Sequence, residues 1–373
     1  MIIWTYMDEM TKTVPIVIPS YEPDERLISL LNDLNAAGLG PVIIVNDGSG
    51  TEYDPIFSEA EKLIAMNGGK LIAYRPNKGK GRALKTAFSY IAENIPDALG
   101  CVTADSDGQH TPGCITSIIN KLREEPDKLI LGVRSFDGED IPWKSRFGNN
   151  LTVKVFSYVS GTKVSDTQTG LRGLPFDFMK DMIDCKGERF EYETQMLLEC
   201  TGRIKITEVP IKTVYDSKEN HQTHFDPFKD SIRIYRILGK KFIKYIFASL
   251  TSFVIDIILF TIFNRLFKGM IPDAYLIQFS TVCARIISAT YNYTVNYFMV
   301  FRSRAGKATS LVKYAALAFV QMQASAWSVA GICFLLPMVS KTLIKCIIDT
   351  LLFLLSYSIQ QRFVFASKKR LGE

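Results

Sequence analysis

The chain has 373 residues, with 44 Lys and Arg against 38 Asp and Glu for a formal net charge of +6, and 47% of it is hydrophobic. That length exceeds one ordinary domain, and the modest charge, with no basic stripe interleaved with aromatics in the first half, excludes a nucleic-acid binder. Seven scattered cysteines, odd in number and never in a Cys-x-x-Cys spacing, exclude a disulfide framework and a zinc site and leave reduced, mostly buried thiols.

The opening stretch, Met1 to Met10, carries acids where a signal peptide needs a basic start, so the first half is expected in the cytosol. Val14 to Ile18 reads as a strand ending in Pro19-Ser20, and Leu27, Leu30, Leu31 and Leu34 then recur at helical spacing from an Asp24 start. The alternation continues with a strand at Val42 to Val45, a helix at Pro55 to Met66, a strand at Leu71 to Tyr74 and a helix at Gly81 to Glu93. Cys101 to Ala104 is a further strand, Pro112 to Glu124 a helix and Leu129 to Val133 another strand. Strict alternation predicts an α/β fold with a mostly parallel sheet covered on both faces. In such sheets ligands gather beyond the carboxyl ends of the strands. Ser20-Tyr21-Glu22, Asn46-Asp47-Gly48-Ser49 and Asp105-Ser106-Asp107 all stand at those ends.

Near Ile237 to Lys241 the composition changes, which divides the chain into residues 1–236 and 237–373. Arg233, Arg236, Lys240, Lys241 and Lys244 crowd this junction, as suits an anionic membrane surface or a phosphate headgroup. Beyond it, Tyr245 to Phe263, Tyr275 to Phe298, Tyr314 to Leu336 and Leu343 to Ile359 are apolar segments near the ~20 residues that cross a bilayer. Arg302, Arg304, Lys307 and Lys313 mark one loop and Arg362, Lys368, Lys369 and Arg370 the tail, so the positive-inside rule predicts four spans with the junction, that loop and the C-terminus cytosolic. Lys244-Tyr245 is echoed by Lys313-Tyr314, and Tyr293 to Phe301 (YTVNYFMVF) by Tyr357 to Phe365 (YSIQQRFVF), the mark of two duplicated helix pairs. Asp256, Arg285 and Asp349 lie within the spans, where ionisable groups need partners or water, and a buried Asp-Arg-Asp cluster is expected.

Asp105 and Asp107 flank one residue after a strand, with Gln109 two further on, an oxygen set suited to Mg2+ or Mn2+ shared with substrate phosphates. Asp47 precedes Gly48, where a tight turn leaves the carboxylate able to accept from a base or ribose; an Asx turn joining strand to helix is the plain alternative. Lys78-Gly79-Lys80-Gly81-Arg82 opens a helix and offers backbone amides and cations to phosphate.

Pro19-Ser20-Tyr21, Val45 to Ser49, Asn77 to Lys85 and Asp105 to His110 resemble, in that order, family 2 glycosyltransferases of the dolichol-phosphate mannosyltransferase-like branch. The resemblance implies a GT-A type fold, a nucleoside diphosphate sugar donor (a UDP-sugar by preference), a divalent metal, Mg2+ or Mn2+, and inversion at the anomeric carbon. It implies that Pro19, Tyr21, Glu22, Asp47, Lys80, Asp105 and Ser106 hold the nucleotide sugar and that Asp105, Asp107 and Gln109 surround the metal. It also implies catalytic roles for Asp107, Arg134, Arg146 and Arg172, with Arg134, Arg146, Lys229 and Arg233 on an acceptor phosphate. The family reads Tyr-Asn-Glu where this chain reads Tyr21-Glu22-Pro23, and its arginines after the last strand are replaced around Lys218 to His224. Glu191 and Glu193 are candidates for orienting the sugar or metal site, a solvated helix start being the alternative. The spans, with their Asn- and Gln-rich ends, resemble the GtrA-like membrane family, which implies anchoring and presentation or translocation of a lipid-linked sugar; anchoring with self-association is the alternative. Together these imply a multi-pass enzyme of the cytoplasmic membrane that glycosylates polyprenyl (undecaprenyl) phosphate. The rivals are a lipid-linked sugar transporter with a nucleotide-sugar sensor, and a processive polysaccharide synthase. Gln360-Gln361-Arg362-Phe363 does not fit the synthase's Gln-x-x-Arg-Trp.

Overall fold

Continuous apolar runs, rather than alternating ones, mark strands covered on both faces, and in the computed structural model β1 (Ile16–Ser20) and β2 (Val42–Asp47) are buried at every residue. The structure describes residues 12–134, 143–201, 203–211, 229–301, 303, 305–336 and 338–366. Helix α1 (Glu25–Ala36) starts where the Asp24 side chain accepts from the amide of Arg26, and it buries Leu27, Ile28, Leu30, Leu31 and Leu34. After α2 (Asp54–Ala65), β3 (Lys70–Tyr74), α3 (Lys80–Asn94) and β4 (Gly100–Thr103), α4 (Pro112–Glu124) is capped by Thr111 with proline at its first position. The elements that follow are β5 (Lys128–Arg134), α5 (Trp143–Ser160), β6 (Arg172–Pro175), α6 (Phe176–Ile183), α7 (Glu191–Cys200) and β7 (Lys205–Ile211).

The strands form one seven-stranded sheet in the order β3-β2-β1-β4-β6-β5-β7. All neighbours are parallel except β6, which runs against both β4 and β5. The sheet is therefore mostly parallel, as the alternation predicted and as the resemblance to a GT-A type fold implied, with one reversed strand that the alternation did not predict. Because only β6 is reversed, one edge of the sheet gathers the carboxyl ends of the other strands together with the start of β6 at Arg172. The order turns back between β1 and β4, where a ligand crevice opens in such sheets.

The chain divides into two compact units, Met1–Ile237 and Leu238–Glu373. The second contains most of α8 (Lys229–Leu266), then α9 (Asp273–Val295), α10 (Lys307–Leu335) and α11 (Lys341–Ile359). Three helices among the described residues are long and apolar enough to cross a membrane: Lys229–Leu266, Lys307–Leu335 and Leu343–Val364. Helix α9 lies on the remaining predicted span and is absent from that set; Gln278, Ser280, Thr281, Arg285, Ser288, Thr290 and Asn292 make it less apolar along its length. The two echoed stretches end alike, in five-residue π-helical turns at Asn296–Val300 and Gln360–Val364. Asn296 Nδ2 donates to Gln360 Oε1 at 3.2 Å, so the duplicated positions meet. The expected Asp-Arg-Asp cluster is replaced by two pairs: Arg285 with Asp256 at 3.0 Å and Lys345 with Asp349 at 2.8 Å. The lysine lies one helical turn before Asp349 and reaches it within α11. Arg302, Arg304, Lys218 to Phe228 with His224, and Lys368 to Arg370 lie outside the described residues.

Candidate active site

Asp47 closes β2, is 3% exposed, and its carboxylate is already in use. Tyr74 Oη (2.7 Å) and the Lys78 amide (2.9 Å) donate to Oδ1, while the Gly79 amide (2.8 Å) and Asn77 Nδ2 (3.0 Å) donate to Oδ2. Four donors from β3 and the following loop thus converge on one acid. The amides of Lys78 and Gly79, expected to face phosphate, face Asp47 instead. The loop can come this close because Gly48 has no side chain: a Cβ there would stand 2.3 Å from the Asn77 amide nitrogen. Ser49 accepts from the Glu22 amide at 2.9 Å and ties the loop after β1 to the turn after β2. Glu22 takes a left-handed φ of +49°, a conformation that asparagine adopts more readily. Its carboxylate engages the Tyr21 hydroxyl, which raises that phenol above its usual value.

Lys80, the first residue of α3, projects from this loop to the loop after β4. Its Nζ lies 2.6 Å from Asp105 Oδ1 and 2.8 Å from Glu193 Oε1. Burial alone would raise the Asp105 carboxyl, but Lys80, and behind it Arg134, hold it down at about 2. Asp107 moves the other way, raised by burial and then by the negative charge of Asp105. The amide of Gln109 donates to Asp107 Oδ1 at 3.1 Å, and the Asp105 amide donates to His110 Nδ1 at 3.2 Å. That bond fixes His110 as a neutral acceptor at Nδ1, and burial lowers its pKa. Ser106 is half-buried between the two acids.

Arg134, at the end of β5, clasps Asp166 through two hydrogen bonds of 2.7 and 3.0 Å. Asp166 is fully buried, so it fixes the guanidinium while the charge still acts on Asp105 and His110. Arg172 corrects the expectation of a catalytic role. It is 1% exposed, and its guanidinium donates to the carbonyls of Thr169 (2.9 Å), Glu193 (2.6 Å) and Thr167 (3.4 Å). It is a buried brace joining the turn before β6 to α7. Glu193 is not a solvated helix start either, since it is buried against Lys80. Glu191 accepts from the amides of Glu188 and Arg189 (3.1 and 3.4 Å), which is capping work at the start of α7. Arg146 lies in the first turns of α5, with its side chain outside the described residues. Arg233 pairs with the buried Asp230 at 2.8 Å within α8, the helix that Lys229 opens. Pro19 sits in β1 opposite Val45.

Sequence reasoning gave no role to three supports. Glu188 receives Arg82 at 2.7 Å and the buried Lys85 at 3.0 Å, and so staples α3 to the segment before α7. Gly170 lies against Asp105, where a Cβ would stand 2.3 Å from Oδ2, and Thr103 Oγ1 donates to the Gly170 carbonyl at 2.6 Å. His110 stands in the same Asp-Ser-Asp-Gly-Gln-His stretch as the acids, and the signal for it was there. Gly170→Ala should displace the Asp105 carboxylate and lower kcat/KM about 100-fold with the fold retained; steady-state kinetics beside a thermal melt check this.

Among the described residues no group of three His, Cys, Asp and Glu side chains forms a ready cage for a metal. The donor set still suits Mg2+ or Mn2+, which are held by one or two carboxylates plus substrate phosphates. Burial and then the charge of Asp105 raise Asp107, and a divalent cation between the two acids would relieve their like-charge contact.

Residues 16–182 match the family model Glycosyl transferase family 2. The UDP-N-acetylglucosamine–dolichyl-phosphate N-acetylglucosaminyltransferase of Methanococcus voltae is 28% identical over 219 residues, 55% of this chain and 86% of that protein. A dolichyl-phosphate hexose transferase of Haloferax volcanii is 26% identical over 232 residues, 61% of this chain and 92% of that protein. A mannosyltransferase of Pyrobaculum calidifontis, solved in complex with GDP-Man and Mn2+, is 12% identical with a TM-score of 0.38, covering 96% of this chain and 93% of that one.

Proposed function

Because residues 16–182 form a Glycosyl transferase family 2 domain, we propose that this chain is an inverting glycosyltransferase that moves a sugar from a nucleoside diphosphate sugar, UDP-sugar by preference, to a polyprenyl phosphate. The observation that carries this reading is the pair Asp105 and Asp107 beside Lys80, at the edge of the sheet where β1, β2 and β4 end. The names of the two relatives, both transferases acting on dolichyl phosphate, support a lipid phosphate as acceptor.

Mg2+ or Mn2+ held by Asp105, Asp107 and Gln109 would supply the positive charge that stabilises a departing nucleoside diphosphate. The chain's own contribution is electrostatic and positional. Lys80 brings a cation from the donor-side loop, and Arg134 brings a second one, oriented by Asp166. A phosphomonoester, with a second pKa of about 6, is already largely ionised at neutral pH. An acceptor of that kind attacks without a general base, which fits a site whose histidine is buried and hydrogen-bonded at Nδ1. Arg134, Arg146, Lys229 and Arg233 are the candidates to hold it.

The helices of the second unit anchor the enzyme as a multi-pass protein of the cytoplasmic membrane, with the catalytic unit cytosolic. They also present or translocate the lipid-linked product, a role supported by a groove of about 780 Å3 with Arg285, Gln321, Ser325, Lys345 and Asp349 in its walls. Charged side chains this far along apolar helices are costly unless paired or wetted. The donor reading is tested by incubating membranes carrying the protein with a panel of nucleotide sugars and following nucleoside diphosphate release. The expected result is release that depends on added polyprenyl phosphate and is greatest with one UDP-sugar. Release unaffected by the lipid counts against the acceptor, and release from none of the sugars counts against the enzyme.

A further inference from the structure

The base of the Lys80 side chain is fixed from both sides. Gly79 precedes it at φ +103°, its amide held by Asp47, and Gly81 follows it, packed so closely on Tyr192 that a Cβ would stand 2.6 Å from that side chain. From this root a flexible four-carbon stem carries a point charge. It ends between two acids from separate elements, Asp105 after β4 and Glu193 in α7. Glu193 is buried, so the ammonium supplies its countercharge. Asp105 is less enclosed, and the Oδ1 that Lys80 touches belongs to one of the two acids that would hold a divalent cation. Two cations therefore claim one carboxylate.

We propose that Lys80 competes with the divalent cation for Asp105, and that a nucleoside diphosphate relieves the competition by drawing the ammonium onto its own phosphate oxygens. This rests on the glycosyltransferase reading above and adds an order to it: cation and nucleotide bind as a coupled pair, each weak without the other. Glu193 holds the lysine close when Asp105 releases it, so the ammonium need only pivot. The coupling is reciprocal, since whatever the nucleotide does for the cation the cation must do for the nucleotide. The arrangement suits an enzyme that must not commit its metal before its donor arrives.

The test is Mn2+ binding to the full-length chain in detergent, read from the electron paramagnetic resonance of free Mn2+ with and without UDP or GDP. In the wild type, the diphosphate is expected to tighten Mn2+ about 10-fold or more. Lys80→Met should bind Mn2+ about 10-fold more tightly than the wild type when no nucleotide is present, and gain little from adding it. Lys80→Gln, which can still donate to both acids and so guards against loss of fold, should behave as Lys80→Met does. Lys80→Arg keeps the charge and should stay near the wild type. Mn2+ affinity that is the same in Lys80→Met, Lys80→Gln and wild type without nucleotide overturns the competition. So does a wild type whose Mn2+ affinity ignores the diphosphate, a result that needs no variant. Absence of Mn2+ binding in every arm overturns the proposal together with the metal reading beneath it.

Discussion

Asp107→Ala is expected to lower sugar transfer about 100- to 1,000-fold, the loss seen when one electrostatic stabiliser of a transition state is removed, while the first unit melts at or slightly above its wild-type temperature. The two halves of this result have different origins. The folded chain gains little from Asp107: its Oδ1 accepts one bond, from the Gln109 amide, and its charge is opposed by burial and by Asp105. Removing it forfeits about 1 kcal/mol of hydrogen bonding and relieves a like-charge contact. An acid that costs the fold something is there for something the fold does not contain. Nucleoside diphosphate release and a thermal melt on the same preparation check both halves. A variant that transfers sugar as well as the wild type would favour a transporter with a nucleotide-sugar sensor.

Asp47→Ala should do the reverse, damaging the structure first and the chemistry as a consequence. Its carboxylate satisfies Tyr74 Oη, Asn77 Nδ2 and the amides of Lys78 and Gly79. Leaving buried donors unsatisfied costs about 1–3 kcal/mol each, less than additively when water can enter. A loss of about 3 kcal/mol or more from the first unit is expected by denaturant titration, with faster hydrogen exchange at Lys78 and Gly79. Activity should fall as well, because the same loop roots Lys80. Asp47→Asn should fall between the two, since an amide keeps one acceptor but turns a second donor toward the loop. A stable Asp47→Ala variant with only a raised KM for donor would restore the simpler view that Asp47 contacts the nucleotide.

These two acids show which parts of the site could be read from the sequence. The apolar runs of β1, β2 and β4, the Asp24 cap and the polar stretches after the strands are local signals, and they place Asp47, Asp105 and Asp107 at one edge. What a charged side chain faces is not a local property. Arg172 resembles a phosphate-binding arginine, yet it opens β6, a strand buried at all four residues, and its guanidinium is taken up by the carbonyls of Thr167, Thr169 and Glu193. Glu193 looks like a favourable acid at a helix start, and only the crossing of α3 and the segment before α7 shows it to be the partner of Lys80. In the second unit the echo of Tyr293 to Phe301 in Tyr357 to Phe365 was visible, but not the π-helical turns that bring Asn296 and Gln360 together. The pairing of Asp349 was misassigned because Lys345, one turn away on the same helix, satisfies it before Arg285 can.

In the proposed reaction the sugar alone is transferred, from its diphosphate to a phosphate already charged. The most direct measurement is the mass of both products formed by membranes carrying the full chain with donor, polyprenyl phosphate and Mn2+. The expected products are a lipid heavier than the acceptor by one sugar residue with no added phosphorus, and the nucleoside diphosphate. Release of the nucleoside monophosphate with a lipid that has gained a sugar phosphate, or a polymer of several sugars with the lipid unchanged, would contradict it.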